Sequence, residues 1–397
     1  MDEYSYPLPE ERIAKYPLKK RDNSKLLVYK NGEISHDDFG NLVDYLNSGS
    51  LLVFNDTKVI QARLEFRKDT GARIEIFCLE PKTPADYMLT FQATGSVTWR
   101  CIVGNLSKWK GQTLCRTITT ERSEFNLFAE RIGEEEGEQI VKFSWNNIEI
   151  SFGEILETTG LTPIPPYLNR NSEEIDKRRY QTIYSKWKGS VAAPTAGFHF
   201  TDEVLKDLDR KKITRAQVTL HIGTGTFKPV KSHTARGHKM HTERFFIRKP
   251  DLLRLAENKQ IIPVGTTSLR TLESLYWLAR KIKQNPEINP DNLTINQWEP
   301  YQQDVSLSRN EIVETLLEFM DKNGKTKIEA STEIMIIPGY KFRMTDGLIT
   351  NYHQPHSTLL LLIAAFVGED WKKIYQYSLE NNFRFLSYGD SSLLLPD

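Results

Sequence analysis

The chain has 397 residues, 39% hydrophobic and 26% charged, a composition of ordinary soluble domains that excludes a fibrous or wholly disordered protein. At that length two or three domains can bury a core without metal or disulfide staples. With 53 basic and 52 acidic side chains the net charge is +1, so no global field draws the chain to nucleic acid or an anionic membrane, and a polyanion must be met by a local patch.

The opening segment, MDEYSYPLPEER, is polar, and the longest apolar run, 359–367, is too short to span a bilayer. Neither export nor membrane insertion is expected, and a cytoplasmic location is. Basic clusters around Lys15, Arg21 and Lys25, and at Arg178 and Arg179, are the candidate phosphate contacts, although a basic run is ordinarily a solvated face. The first sixty residues end in SLLVFNDTKVI, read as a buried strand that meets a polar turn at 55–57. From 63 to 150, short alternating stretches such as ARIEIFCLE and QIVKFSW predict an all-β insert, a small barrel. Cys78, Cys101 and Cys115 lie there without a CxxC pair and are expected to be buried thiols in a reducing compartment.

A mixed pattern of strands and helices then runs to the C-terminus. The predicted fold is α/β: a larger mixed α/β domain, 1–62 and 151–397, with a smaller inserted β-barrel domain, 63–150. Helices are predicted over 201–211, with Thr201 as N-cap, over 269–283 after an apolar strand at 261–264, and over 310–320. Residues 284–300 read as a long exposed loop.

Five polar turns at strand or helix ends are candidates for chemistry, and in an α/β domain such turns can converge on one pocket. GSVAAPTAGFHF, with Thr195, Gly197 and His199, is a small-residue loop able to approach a ligand or simply a tight connection. VTLHIGTGTFKPV places His221 at a strand end before Gly223, Gly225 and Thr226; it is neither a P-loop nor a dinucleotide fingerprint. ARGHKMHTERF sets His233, His238 and His241 near Glu243, but without HExxH or cysteine ligands, and hydrogen-bonding or proton-transfer roles are preferred to a metal. VGTTSLRTLES puts Gly265, Thr266 and Thr267 at a helix start ahead of Arg270, a setting for an anionic or polyhydroxyl ligand or for ordinary capping. The last, TDGLITNYHQPHSTL, carries Asp346, Asn351, His353 and His356, and FRFLSYGDSSLLL adds a polar turn at 388–390.

In order and wording, IAKYPLKKRDNSKLLVY, LLVFNDTKVIQARL, RYQTIYSKWKGSVAAPTAGFHF, TLHIGTGTFKPV, HKMHTE, VGTTSLRTLES, PGYKF and FRFLSYGDSSLL resemble the S-adenosylmethionine:tRNA ribosyltransferase-isomerase family of queuosine biosynthesis. The resemblance runs from near the N-terminus to near the C-terminus. It implies an α/β domain with an inserted β-barrel. It also implies an enzyme that moves the ribosyl part of S-adenosylmethionine onto the aminomethyl arm of a 7-deazaguanine in tRNA, releasing adenine and methionine. S-adenosylmethionine would then be a co-substrate, tRNA the partner, and no tightly bound cofactor, metal or obligate protein partner is called for.

Such a reaction needs a base beside the sulfonium and donors that help adenine leave. By chemical type, His199, His221, His241, Glu243 and Asp346 are the acid/base candidates. Positions matching family motifs are expected to line the pocket: Asn55, Asp56 and Thr57; Thr195 and Gly197; Gly223, Gly225 and Thr226; Gly265, Thr266, Thr267 and Arg270. Asn351 and His353 join them, and Lys15, Arg21, Lys25, Arg178 and Arg179 are the expected tRNA contacts. Two segments depart from the family pattern. NYHQPHSTL replaces NFHLPKSTL, bringing in Gln354 and a titratable His356, and EASTEIMII stands where a GWTD-like segment is usual. These departures leave open a paralogue acting on another nucleoside or RNA, beside a non-catalytic RNA-binding protein.

Overall fold

The computed structural model describes residues 3–120, 123–223, 234–302 and 306–396. The chain divides into two compact units, one of Met1–Thr57, Gln181–Lys186 and Pro194–Asp397, the other of Lys58–Tyr180 and Trp187–Ala193.

The larger unit is built on a ten-stranded mixed sheet. Near its middle runs Ser50–Asn55, buried at every position between the parallel strands Thr214–Leu220 and Gln260–Val264. A strand with parallel neighbours on both sides and covered faces has no solvent side, which is why SLLVFN reads as a continuous apolar run and not as an alternation. Beyond Thr214–Leu220 lie Glu243–Arg248, Lys327–Thr332 and the short Thr294–Ile295; beyond Gln260–Val264 lie Leu348–Asn351, Ser391–Leu395, Lys25–Lys30 and Glu33–Asp38. Pro263 has no N–H for a ladder, and it falls where pairing with Leu348–Asn351 is cut to the single pair Val264 and Ile349.

Strand direction positions the site. Ser50–Asn55, Thr214–Leu220, Gln260–Val264 and Leu348–Asn351 run the same way, so Asn55, Leu220, Val264 and Asn351 all reach one edge of the sheet. The antiparallel strands Glu243–Arg248 and Ser391–Leu395 begin at that edge. Phe39, Phe54 and Phe200 interlock edge-on at 5.0 Å in the apolar core against the sheet, with Leu26, Leu52, Val204 and Leu393 around them.

The helix Thr266–Gln284 starts three residues before the expected 269, because Gly265, at φ 91°, turns the chain and its carbonyl already accepts from Leu269 N (3.1 Å). Asp202–Arg210 begins after Thr201, whose hydroxyl caps Val204 N as expected. Arg309–Lys322 carries a capping box from Ser308 and Glu311. Residues 284–300 are less open than expected: buried Leu293 and Ile295 pull the segment down, so that Thr294–Ile295 pairs with the edge of the sheet.

The smaller unit is the small barrel that the alternating stretches predict. Six antiparallel strands follow one another in the order Arg63–Arg67, Arg73–Thr83, Ser96–Gly104, Glu138–Trp145, Glu124–Glu135 and Leu114–Thr119, and the first and last approach to leave it nearly closed. Phe152, opening the helix Phe152–Thr159, fills its interior between Trp99, Phe143 and Trp145, with ring centroids 5.4–5.8 Å apart. Cys78 and Cys101 lie opposite each other on adjacent strands and are buried, and burial pushes the Cys101 thiol well up. Cys115 departs from the expectation: it is exposed, because on its strand the inward positions fall at Leu114 and Ile118.

Candidate active site

The sheet edge gathers most of the predicted residues, but several of them are already spent on architecture. Asn55 Nδ2 donates to Leu220 O (3.0 Å), and its Oδ1 accepts from Leu220 N (3.1 Å) and Thr57 N (3.2 Å). This clamp ties two strand ends together and sets Thr57 Oγ1 2.9 Å from His221 Nδ1, fixing one face of a half-buried ring. Asp56 is fully buried; burial pushes its carboxyl up, while the Thr219 hydroxyl and Arg248 (3.4 Å) draw it back. It is an internal node.

His199 is also interior. Burial, reinforced by Arg21 and Arg384, pushes its pKa down to about 3. Asn351 Nδ2 lies 3.2 Å from His199 Nε2 and shares its two hydrogens among that ring nitrogen, Leu386 O (3.2 Å) and Asp390 O (3.3 Å). An amide nitrogen only donates, so Nε2 accepts, the proton sits on Nδ1, and it is given to Ser24 Oγ (2.7 Å). His353 is half-buried by its exposure, yet desolvation pushes it down to about 4, Nε2 meets Thr350 Oγ1 (3.0 Å), and its backbone is held by Tyr375 and Tyr6.

Gly265 to Arg270 open the helix that starts at the same edge. Arg270 is 6% exposed; Nη1 bonds Glu243, which opens its strand at the same edge, and Nε reaches Ile334 O (3.3 Å). Ile334 belongs to the departing segment EASTEIMII, and it serves Arg270 through its backbone, so the change of side chains there leaves this contact in place. Thr195 is half-buried at the start of the turn Thr195–His199, and a Cβ on Gly223 would meet open space. Gly197 is small for packing: a Cβ there would run into the Tyr184 hydroxyl and Thr182. Gly197→Ala is expected to cost about 1–3 kcal/mol, read as a lower urea midpoint; an unchanged midpoint would mean that the Tyr184 ring yields.

Of the remaining predicted residues, His241 stays near the sheet edge and the others lie apart. Asp346 is at the opposite edge, where its carboxylate takes Ile261 N (2.7 Å) and both oxygens meet Arg309 (3.0 Å). It precedes the strand that ends at Asn351, so the length of that strand separates it from the others. His241 is half-buried two residues before Glu243; His356 is exposed, at φ 56°, just ahead of the N-cap Ser357. Gly225, Thr226 and His233 lie outside the described residues. Lys15 pairs with Glu10 (3.0 Å), Arg21 donates to Phe198 O (3.1 Å), and Lys25 donates to Asn381 O (2.6 Å). Arg178 and Arg179 belong to the helix Glu174–Arg179 of the smaller unit. Among the described residues no group of three or more His, Cys, Asp or Glu is placed to hold a metal ion, and no helix is long and apolar enough to cross a membrane.

Sequence reasoning missed Ser24, which completes the His199 chain, and the use of Asp390, whose oxygens take Lys25 N (3.0 Å) and Arg384 N (2.7 Å). It also left Glu273 without a role. That carboxylate, fully buried on the helix behind Arg270, accepts from Tyr340 OH, Arg343 N, Met344 N and Thr345 Oγ1 at 2.9–3.0 Å. The segment 340–345, which begins within PGYKF, is thus folded around an acceptor about seventy residues earlier in the chain.

The sequence model of the family described as "Queuosine biosynthesis protein" matches residues 1–394. An S-adenosylmethionine:tRNA ribosyltransferase-isomerase of Trichlorobacter lovleyi is 37% identical over 402 residues, 99% of each chain. One of Halothermothrix orenii is 36% identical over 403 residues, 100% of this chain and 99% of the other. A crystal structure of the S-adenosylmethionine tRNA ribosyltransferase of Thermotoga maritima aligns over 99% of this chain and 100% of that one, with 27% identity and a TM-score of 0.47. On its whole-length match to the family model and to these relatives, the chain belongs to the queuosine biosynthesis protein family, that of the S-adenosylmethionine:tRNA ribosyltransferase-isomerases.

Proposed function

We infer that this protein is an S-adenosylmethionine:tRNA ribosyltransferase-isomerase. It transfers and isomerises the ribosyl moiety of S-adenosylmethionine onto 7-aminomethyl-7-deazaguanine in the tRNA anticodon, giving epoxyqueuosine with release of adenine and methionine. The observation that carries this reading is the likeness to such enzymes over the whole chain at 37% identity. A cytoplasmic setting, where tRNA is found, fits it.

The sheet edge offers the chemistry three of the five acid/base candidates. His199 is a neutral ring inside the fold and Asp346 lies at the far edge, which leaves His221, His241 and Glu243. Glu243 is committed to Arg270, and of the two histidines our assignment for the base that takes the proton beside the sulfonium is His221, whose ring Thr57 positions. Thr57, Thr195, Gly223, Gly265, Thr266 and Asn351 are assigned to the pocket wall. For the tRNA, Lys15, Arg21, Lys25, Arg178 and Arg179 are assigned as phosphate contacts, so affinity should fall steeply as salt rises.

The test is adenine release, followed by chromatography, from S-adenosylmethionine and tRNA carrying the aminomethyl-deazaguanine. Adenine is expected only with the modified tRNA, together with the matching mass gain on the nucleoside. Release that ignores the modification, or none despite tRNA binding, would overturn the reading. Under the same conditions an unchanged rate in His221→Asn would remove His221 as the base.

A further inference from the structure

We propose that Arg270, Thr267 and Glu243 form the subsite for the amino-acid head group of S-adenosylmethionine, with the α-carboxylate on Arg270 and Thr267 and the ammonium on Glu243. The proposal rests on the reading above that this compound is the co-substrate.

Arg270 carries the argument. A guanidinium brings five N–H donors and no acceptor. This one is 94% buried by its 6% exposure; Nη1 is given to Glu243 and Nε to Ile334 O, while the enclosed Nη2 has no partner among the described residues. A buried, permanently charged donor left unused is costly for the free protein, and the cost is recovered when an anion arrives.

Thr267 is the second unused donor. On the same helix the Ser268 hydroxyl bonds Val264 O (2.9 Å), that of Thr271 bonds Thr267 O (3.0 Å) and that of Ser274 bonds Arg270 O (2.6 Å). The Thr267 hydroxyl is enclosed and bonds nothing among the described residues. Residues 267 and 270 are three apart and therefore neighbours on one helix face. They belong to the first turns of a 19-residue helix whose N-cap, Gly265, offers no side chain, so both stand near the positive end of the helix. Glu243 spends only Oε2 on Arg270. An ion pair with one donor and one acceptor oxygen to spare matches a zwitterion. In S-adenosylmethionine the only anionic group is the α-carboxylate, and an ammonium stands on the adjacent carbon.

The experiment compares S-adenosylmethionine with its decarboxylated analogue in adenine release on modified tRNA. The wild type is expected to favour the carboxylate-bearing compound by on the order of 100-fold in kcat/KM, expressed mainly in KM. Arg270→Gln should collapse that preference to about threefold or less, and Thr267→Val should reduce it by on the order of tenfold while leaving the fold intact. A wild-type ratio near one, or ratios unchanged in both variants, overturns the proposal. If Arg270→Gln does not fold, Thr267→Val decides. Should the wild type release no adenine from either compound, the reaction reading fails by itself. Calorimetric binding of the two compounds to wild type and Thr267→Val then tests the subsite separately.

Discussion

Glu273→Ala is expected to lower the stability of the protein by about 3–5 kcal/mol, seen as a shift of the urea midpoint at unchanged slope. The carboxylate has no solvent contact, and two backbone amides and two hydroxyls converge on it from Tyr340 to Thr345. Burial raises its pKa, and the same four donors pull it back, so the charge is tolerated only because the segment closes around it. Alanine removes the acceptor and leaves the donors enclosed, with a cavity besides. Glu273→Gln keeps the volume but turns one acceptor into a donor that faces other donors, and should lose roughly half as much. A loss below about 1 kcal/mol for alanine would mean that the segment is held by other contacts.

A second large effect concerns acid. His199, with a folded pKa of about 3 against an unfolded value of about 6.5, stays neutral where the unfolded chain takes up a proton. Its contribution to stability is complete above about pH 6.5 and is lost as pH falls toward 3. By pH 5 the loss from this residue amounts to about 2 kcal/mol. His353, pushed down to about 4, loses a similar amount over an overlapping window. Urea midpoints at pH 7 and pH 5 for the wild type and His199→Gln check this: the variant should lose about 2 kcal/mol less than the wild type over the interval. Equal losses would mean that the His199 ring is protonated in the folded protein at pH 5.

These two residues mark where sequence legibility ends. Convergence of strand ends was legible: apolar runs that end in polar turns at Asn55, His221 and Gly265 read as turns able to gather in one place, and the parallel strands bring these ends to one edge. Asp346 shows the limit of that logic, since a polar residue before a strand belongs to the other edge. Partners across long separations were not legible. Arg270 and Glu273 are three residues apart on one helix, a spacing that permits a local ion pair, yet Arg270 turns to Glu243 and Glu273 to the 340–345 segment, because both lie inside a buried helix where each must be satisfied by whatever packs against it. His199 reads as an acid or base by type; Ser24, 175 residues earlier, and Asn351, 152 later, make it a neutral interior ring.

The parallel pairing of Lys25–Lys30 with Ser391–Leu395, fastened by Asp390 on Lys25 N, bears on how the molecule is made. On the ribosome the N-terminal strand emerges with only its hairpin neighbour Glu33–Asp38 for company, and roughly tens of seconds of synthesis pass before its other partner appears. The barrel strands all lie between 63 and 145 and can close early in that interval. The ten-stranded sheet cannot, so a nascent chain stalled short of its last strand leaves one side of Lys25–Lys30 open to pairing with other chains and lacks the Asp390 carboxylate that fastens its two ends.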